Sequence, residues 1–202
     1  MERLVKENIN TGSEYDKIYL ERSKRQVDSQ DMRRWKILLK YYKGGKLLDI
    51  GSLDSKIVDL VANPTDYFGI DVAGEAIRDM QDRNGGTFLV RNLYNLDKDW
   101  FNRFDYAIMG EVVEHLEEPE KAIKEAMRVL KVGGILALST PLEEAREPGA
   151  VDRDRHLWSF SVKDIIDMLK PYGSVKVNIL GSEYFPKYKY RWKTILAYCK
   201  KK

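Results

Sequence analysis

The sequence predicts a three-layer α/β sandwich built on a seven-stranded, mostly parallel sheet that ends in an antiparallel C-terminal hairpin. Three observations carry that expectation. Short apolar runs alternate with segments of helical periodicity over most of the length. The run at 104–109 (Phe-Asp-Tyr-Ala-Ile-Met) is nearly continuously apolar, as a parallel strand covered on both faces should be. The last two apolar runs, 175–180 and 194–199, have no helix between them and so read as an antiparallel pair closing the sheet.

Taken in order, residues 1–25 are polar, with Tyr15 and Tyr19 and a basic stretch at 22–25. A helix is expected over 28–42, with Met32, Trp35, Ile37, Leu38 and Leu39 forming most of a buried face before Gly44-Gly45 ends it. The first strand, 47–50, stops at Gly51, and the turn Gly51-Ser52-Leu53-Asp54-Ser55 leads into a helix expected from near Asp54, with Ile57, Leu60 and Val61 on one face. Asn63-Pro64 halts it, and the second strand, 66–70, ends on Asp71. A helix over 74–83 carries Ala76, Ile77 and Met80, a short strand follows at 87–90, and then the apolar run at 104–109. Pro119 suits a first helical turn, and Ala122, Ile123, Ala126, Met127 and Leu130 repeat at helical spacing up to Gly133-Gly134. Strand five is 135–139. Ser161 with Asp164 marks a further helix start, with Ile165, Ile166, Met168 and Leu169 ahead of Pro171. Without repeat, low-complexity block or second domain, the chain divides into an N-terminal segment and helix (1–45) and a core (46–202).

Composition narrows the function classes. Of 202 residues, 43% are hydrophobic and 33% charged, and no apolar run reaches the roughly eighteen residues of a membrane span. The first residues lack an apolar signal core, so the expected compartment is the cytoplasm, with no membrane partner. The single cysteine, Cys199, rules out an intramolecular disulfide and a cysteine-based zinc site. The net charge of +3 is too small to argue for nucleic acid. Lys187, Lys189, Arg191, Lys193, Lys200, Lys201 and Lys202 nevertheless interleave with Tyr188, Tyr190, Trp192 and Tyr198. That pattern describes a final strand with a solvated face and a lysine tail, or alternatively a surface for a nucleic-acid backbone.

The turn after the first strand limits the ligand. A dinucleotide fingerprint needs three glycines so that backbone amides and a helix N-terminus can hold a pyrophosphate. Here only Gly51 is present, and Asp54 would repel a phosphate. Asp71, twenty residues after Gly51, ends the second strand beside the same crevice. It can accept hydrogen bonds from both hydroxyls of a ribose, or cap the next helix. Asp49 adds negative potential nearby, so a nucleoside with a cationic substituent suits the crevice.

The run 104–116, ending Gly110-Glu111-Val112-Val113-Glu114-His115-Leu116, the turn Arg128-Val129-Leu130-Lys131-Val132-Gly133-Gly134 and the later Ser139-Thr140-Pro141 together resemble class I S-adenosylmethionine-dependent methyltransferases of the type 11/23-like small-molecule superfamily. The resemblance runs from about Tyr15 onward and implies a Rossmann-like sheet with S-adenosyl-L-methionine as cofactor and S-adenosyl-L-homocysteine as product. It implies that Asp49, Gly51 and Ser52 line the methionine end, that Asp71 and Val72 hold the ribose side, and that Asn92 and Leu93 meet the adenine. Gly110 and Glu111 would lie on the sulfonium side, and Tyr15, with Tyr19, in a cofactor-covering segment within 1–45. This chain departs from the family in having Leu53 and Ser55 where two glycines are usual, which leaves a non-catalytic scaffold as an alternative.

Methyl transfer to a hydroxyl needs alignment, water exclusion and a base, and only His115 and His156 are available as imidazole bases. The expected reaction is O-methylation of a small polar metabolite or sugar. Glu111, Glu114, His115 and His156 also compose a set able to hold a divalent cation. This part resembles small-RNA 3′-terminal 2′-O-methyltransferases and, through Glu-x-x-Glu-His, quinone-biosynthesis O-methyltransferases. No metal is expected, and metal-assisted RNA methylation stands as the alternative. The oligomeric state is left open.

Overall fold

A computed structural model of the chain describes residues 1–5, 7–22, 29–53, 56–83, 85–142, 155–185 and 190–202. Its elements are β1 (Glu2–Arg3), α1 (Gly12–Arg22), α2 (Ser29–Leu38), β2 (Leu47–Ile50), β3 (Tyr67–Asp71), α3 (Gly74–Arg83), β4 (Thr87–Val90), β5 (Phe104–Gly110), α4 (Pro119–Val129), β6 (Leu130–Pro141), β7 (Trp158–Ser159), α5 (Val162–Leu169), β8 (Gly173–Phe185) and β9 (Tyr190–Lys201). The main sheet has seven strands in the order β4-β3-β2-β5-β6-β9-β8. The pairs from β4 to β6 are parallel and the two involving β9 antiparallel, which is the predicted topology.

Alternation along the central strands divides the core between the two faces of the sheet. Leu47, Tyr106 and Ile108 pack with Leu38, Ile77 and Met80, beneath α2 and α3. Leu48, Ile50, Ala107 and Met109 pack with Ile123, Met127, Ile165 and Leu169, beneath α4 and α5. Each fully buried side chain of this kind contributes about 1.5–3 kcal/mol. Pro119 opens α4 and a reciprocal Ser161–Asp164 capping box opens α5, as the sequence indicates.

Several expectations change. Where a helix was expected from near Asp54, the described residues hold only a 3-10 turn, Ile57–Leu60; Asp54 and Ser55 lie outside them. Asn63-Pro64 does bound the segment downstream, with Asn63 outside the helical region (φ −124°, ψ 101°), as the residue before a proline prefers. The helix expected over 28–42 ends at Leu38, and Tyr42 donates its hydroxyl to the Gly45 carbonyl (2.7 Å). The helix expected to reach Gly133-Gly134 stops at Val129, and β6 begins at Leu130. Residues 1–25 contain α1 and the two-residue strand β1, which pairs antiparallel with β7.

Two residues of the basic, aromatic stretch near the C-terminus, Tyr198 and Lys201, are committed to the fold, while Lys193, Lys200 and Lys202 are exposed. Tyr198 is buried, donates its hydroxyl to the Ile37 carbonyl (2.6 Å) and meets Tyr41 edge-on. Lys201 donates to the carbonyls of Leu130 (2.6 Å) and Arg128 (3.5 Å) and to Asn102 (3.0 Å). Lys187, Tyr188 and Lys189 lie outside the described residues. Among the described residues, no helix is long and apolar enough to cross a membrane.

Candidate active site

The chain leaves β2 outward to β3 and β4, then returns to the other side of β2 as β5, so the strand order reverses between β2 and β5. Open α/β sheets form their crevice at such a point. Here the carboxyl ends of β2, β3 and β5 open into a cleft of about 780 Å³, lined from Gly51 through Asp71 and Leu93 to His115 and His156.

Gly51 closes β2 at φ +73°, and a Cβ on it would overlap Val112 Cγ2. The residue must therefore be glycine on two counts, backbone conformation and close approach. Asp71 fixes the rest of the turn. It is 8% exposed; one carboxylate oxygen accepts the Leu53 N–H (2.9 Å) and the other the Ala73 N–H (2.9 Å). Burial pushes this carboxyl above its ordinary range, opposed by those backbone donors. A carboxylate offers about four lone-pair sites, so the group can still accept from a ligand beside its backbone donors. Leu53 sits at φ +36°, a region costly for a branched side chain, and packs with Tyr15, Tyr19, Ala73 and Ala76. The missing glycine is thus replaced by a leucine held through the Asp71 bond and an apolar contact with α1 and α3.

Eleven of the predicted site residues line the one cleft: Tyr15, Gly51, Ser52, Asp71, Val72, Asn92, Leu93, Gly110, Glu111, His115 and His156. Asp49 does not. Strand alternation turns it into the other layer, where it is 3% exposed and accepts the Tyr67 hydroxyl (2.7 Å). Asn92 caps a 3-10 turn, its side-chain oxygen accepting the Tyr94 N–H (2.9 Å). Sequence reasoning missed Asn10, Ile18, Arg34 and Trp35, which line the cleft from the N-terminal segment and α2. Their only sequence signal was Trp35 on a predicted helix face. Of the residues read as passing over the cleft, 152–154 lie outside the described residues.

At the far end β5 breaks. Glu111 takes φ +57° while its N–H donates to the Ser139 carbonyl (2.9 Å), and a 3-10 turn, Val113–His115, follows. Glu114 is 1% exposed, its Oε2 accepting the Thr140 hydroxyl (3.1 Å). Burial, and then the Glu111 carboxylate, push the Glu114 carboxyl well above the usual carboxylate range, against the pull of His156. The His115 Nδ1 lies 3.0 Å from the Arg155 carbonyl, so Nδ1 is the donor there. His156 is 6% exposed and packs edge-on to His115 with ring centroids 4.8 Å apart. The segment carrying it is clamped by Leu157 N–H to the Glu114 carbonyl (2.7 Å) and by Trp158 Nε1–H to the Leu116 carbonyl (2.8 Å). Asn10 bridges both sides, donating to the carbonyls of His115 (3.1 Å) and Arg155 (2.9 Å).

Comparison with known proteins agrees with this fold. Residues 48–138 match the family model described as a methyltransferase domain. The chain is 29% identical over 114 residues to the uncharacterized protein MJ1123 of Methanocaldococcus jannaschii, a match spanning 52% of this chain and 54% of that protein. The chain thus spans about half the length of the curated relative it matches. Among solved structures it resembles a protein titled as a SAM-dependent methyltransferase from Methanosarcina mazei (21% identity, 81% of this chain and 96% of that one, TM-score 0.62). It also resembles the [4+2]-cyclase SpnF (20% identity, 94% of each chain, TM-score 0.69). At these identities the likeness to solved structures is one of fold.

Proposed function

Because the chain carries a methyltransferase domain on a class I S-adenosylmethionine-dependent methyltransferase fold, we propose that it methylates a hydroxyl of a small polar acceptor, a metabolite or a sugar. The observation that carries this reading is the single cleft in which Asp71, Leu93, Glu111, His115 and His156 converge. Its residues fit the methyl donor. Glu111 Oε1 is buried without a hydrogen-bond partner, an arrangement suited to a cationic ligand. Bound there, S-adenosylmethionine supplies a methyl carbon already activated by its sulfonium.

The chain's own residues do the rest. Asp71 accepts from ribose hydroxyls beside Val72, Leu93 flanks the adenine, Asn92 meets its edge, and Gly51 and Ser52 admit the methionine end. Tyr15 and Asn10, from the segment that docks over the cleft, exclude water. His115, with Nδ1–H on the Arg155 carbonyl, offers Nε2 to take the acceptor's proton as the oxygen attacks. His156 packs on that ring and fixes its tilt.

The same fold is found in a [4+2]-cyclase, so methyl transfer itself has to be measured. Binding of S-adenosylhomocysteine by calorimetry, and release of S-adenosylhomocysteine with a panel of sugars and hydroxylated metabolites, test the reading. Absence of binding at about 1 mM, the upper end of ordinary substrate constants, would sink it. His115→Ala and His156→Ala are each expected to lower turnover by about 10²-fold or more while the S-adenosylhomocysteine affinity stays within about twofold. Equal losses in affinity would assign the histidines to cofactor binding instead.

A further inference from the structure

We propose that the groove between the C-terminal half of α4 and the end of β9 is a second ligand site, one that takes a small phosphate-bearing molecule. It lies at the opposite end of the sheet from the cleft. The cleft opens at the carboxyl ends of the parallel strands, whereas this groove sits where β6 begins, at Leu130, and β9 ends, at Lys201. The seven residues of β5 put about 23 Å between those two ends. The groove is a cavity of about 310 Å³, at the small end of ligand-sized pockets. Lys124, Arg128, Lys201 and Lys202 line it, and no acidic residue does. Met127, with Pro171 and Tyr172 of the 3-10 turn after α5, forms an apolar wall.

Two of the four cations are fixed in place. The Lys201 ammonium donates to the Leu130 carbonyl (2.6 Å), to Asn102 Oδ1 (3.0 Å) and to the Arg128 carbonyl (3.5 Å), so it contributes a positioned charge. Arg128 donates Nε–H to Glu125 (2.9 Å) and an Nη2 hydrogen to the Leu96 carbonyl (3.1 Å), which leaves the Nη1 hydrogens for a ligand. Burial, and then Arg128, push the Lys201 ammonium below its ordinary range, a cost of packing two like charges together that an anion relieves. Glu125 offsets one of the four charges. Lys124 and Lys202 are exposed, with no carboxylate partner among the described residues. The Lys202 N–H donates to the Tyr172 carbonyl (3.1 Å), which holds that residue against the wall.

This chemistry selects a phosphate ester. A phosphate carries three free oxygens and close to two charges, so several cations can meet it at once, while the apolar wall suits the organic group it is attached to. A nucleic-acid backbone needs a continuous basic track. Here strand alternation turns Lys200 to the other face of β9, and Lys193 lies eight residues back along the strand, about 26 Å away. The site does not rest on methyl transfer.

The test is calorimetric titration of the full chain with phenyl phosphate at low salt, with phenol as the uncharged control. One phenyl phosphate per chain is expected to bind with a Kd below about 1 mM, and phenol not at all. The double variant Lys124→Ala with Lys202→Ala should weaken binding about tenfold. Lys36→Ala with Lys43→Ala removes the same charge from exposed positions elsewhere and should change it by less than about twofold. Absence of binding overturns the site, as does equal weakening in the two double variants, which would mean unspecific charge attraction. Displacement of phenyl phosphate by S-adenosylhomocysteine also overturns it, because the probe would then sit in the cleft. A single-stranded oligonucleotide that binds more tightly than phenyl phosphate, and is weakened as much by Lys193→Ala as by Lys124→Ala, would replace it with a nucleic-acid surface.

Discussion

Asp71→Ala is expected to lower S-adenosylhomocysteine affinity by about 100-fold, about 2.7 kcal/mol, and to destabilise the fold by a further 2–3 kcal/mol. Two losses coincide at this side chain. Its oxygens each accept a backbone N–H, from Leu53 and from Ala73, and removal leaves both donors without their carboxylate acceptor. The turn then loses what holds Leu53 at φ +36°, and on the proposed function the ribose loses its acceptor in the same substitution. Asp71→Asn separates the two effects. An amide of the same shape keeps one oxygen acceptor but presents N–H₂ to the other backbone donor, so stability falls less than in the alanine variant while affinity falls by a similar factor. Calorimetry and urea unfolding read the two quantities. If Asp71→Asn binds S-adenosylhomocysteine like the parent protein, the residue is only a turn cap.

Gly51→Ala carries the second large effect. Its methyl would overlap Val112 Cγ2, and φ +73° disfavours any residue with a Cβ. Overpacking of this kind costs about 1–3 kcal/mol and the left-handed backbone about 1–2 kcal/mol more. We expect about 3 kcal/mol lost in urea unfolding, together with at least a tenfold loss in S-adenosylhomocysteine affinity, because the strand end displaced lines the cleft. Val112→Ala added to Gly51→Ala should recover the steric part and not the backbone part, a coupling of about 1 kcal/mol or more in a double-mutant cycle. A single-variant cost below about 0.5 kcal/mol, or additive behaviour in the cycle, would contradict the assigned contact.

Most of the sheet could be read from residues alone because its signals are local. The apolar run of β5, the alternation that splits Leu47 from Leu48, Asn63-Pro64 ahead of β3 and the missing helix between β8 and β9 each act within a few positions. The N-terminal segment was not legible for the opposite reason. Helix α1 covers a polar cleft, so it carries no strong apolar stripe, and β1 exists only through pairing with β7 over 150 residues away. At the site, Asp71 and the two histidines were legible as chemistry at strand ends. The direction of Asp49 was not, since the hydroxyl it accepts comes from Tyr67 on the neighbouring strand. Leu53 looked like damage to a glycine turn; the structure has an acceptor and an apolar socket for it, neither visible in the turn's own sequence.

Asn10 donates both side-chain hydrogens across a seam, to one carbonyl before the cleft and one beyond it, while Leu4 N–H is tied to the Leu157 carbonyl (2.7 Å). At about 1 kcal/mol apiece these bonds are strong enough to keep the seam shut most of the time and weak enough to let it part without unfolding the sheet. On the proposed function, the residence time of a spent cofactor is therefore expected to depend on these N-terminal contacts as well as on the pocket. Hydrogen exchange at the Leu4 amide should speed up or slow down together with the dissociation rate of S-adenosylhomocysteine when Asn10 is replaced by alanine, and a dissociation rate indifferent to that change would place the exit elsewhere.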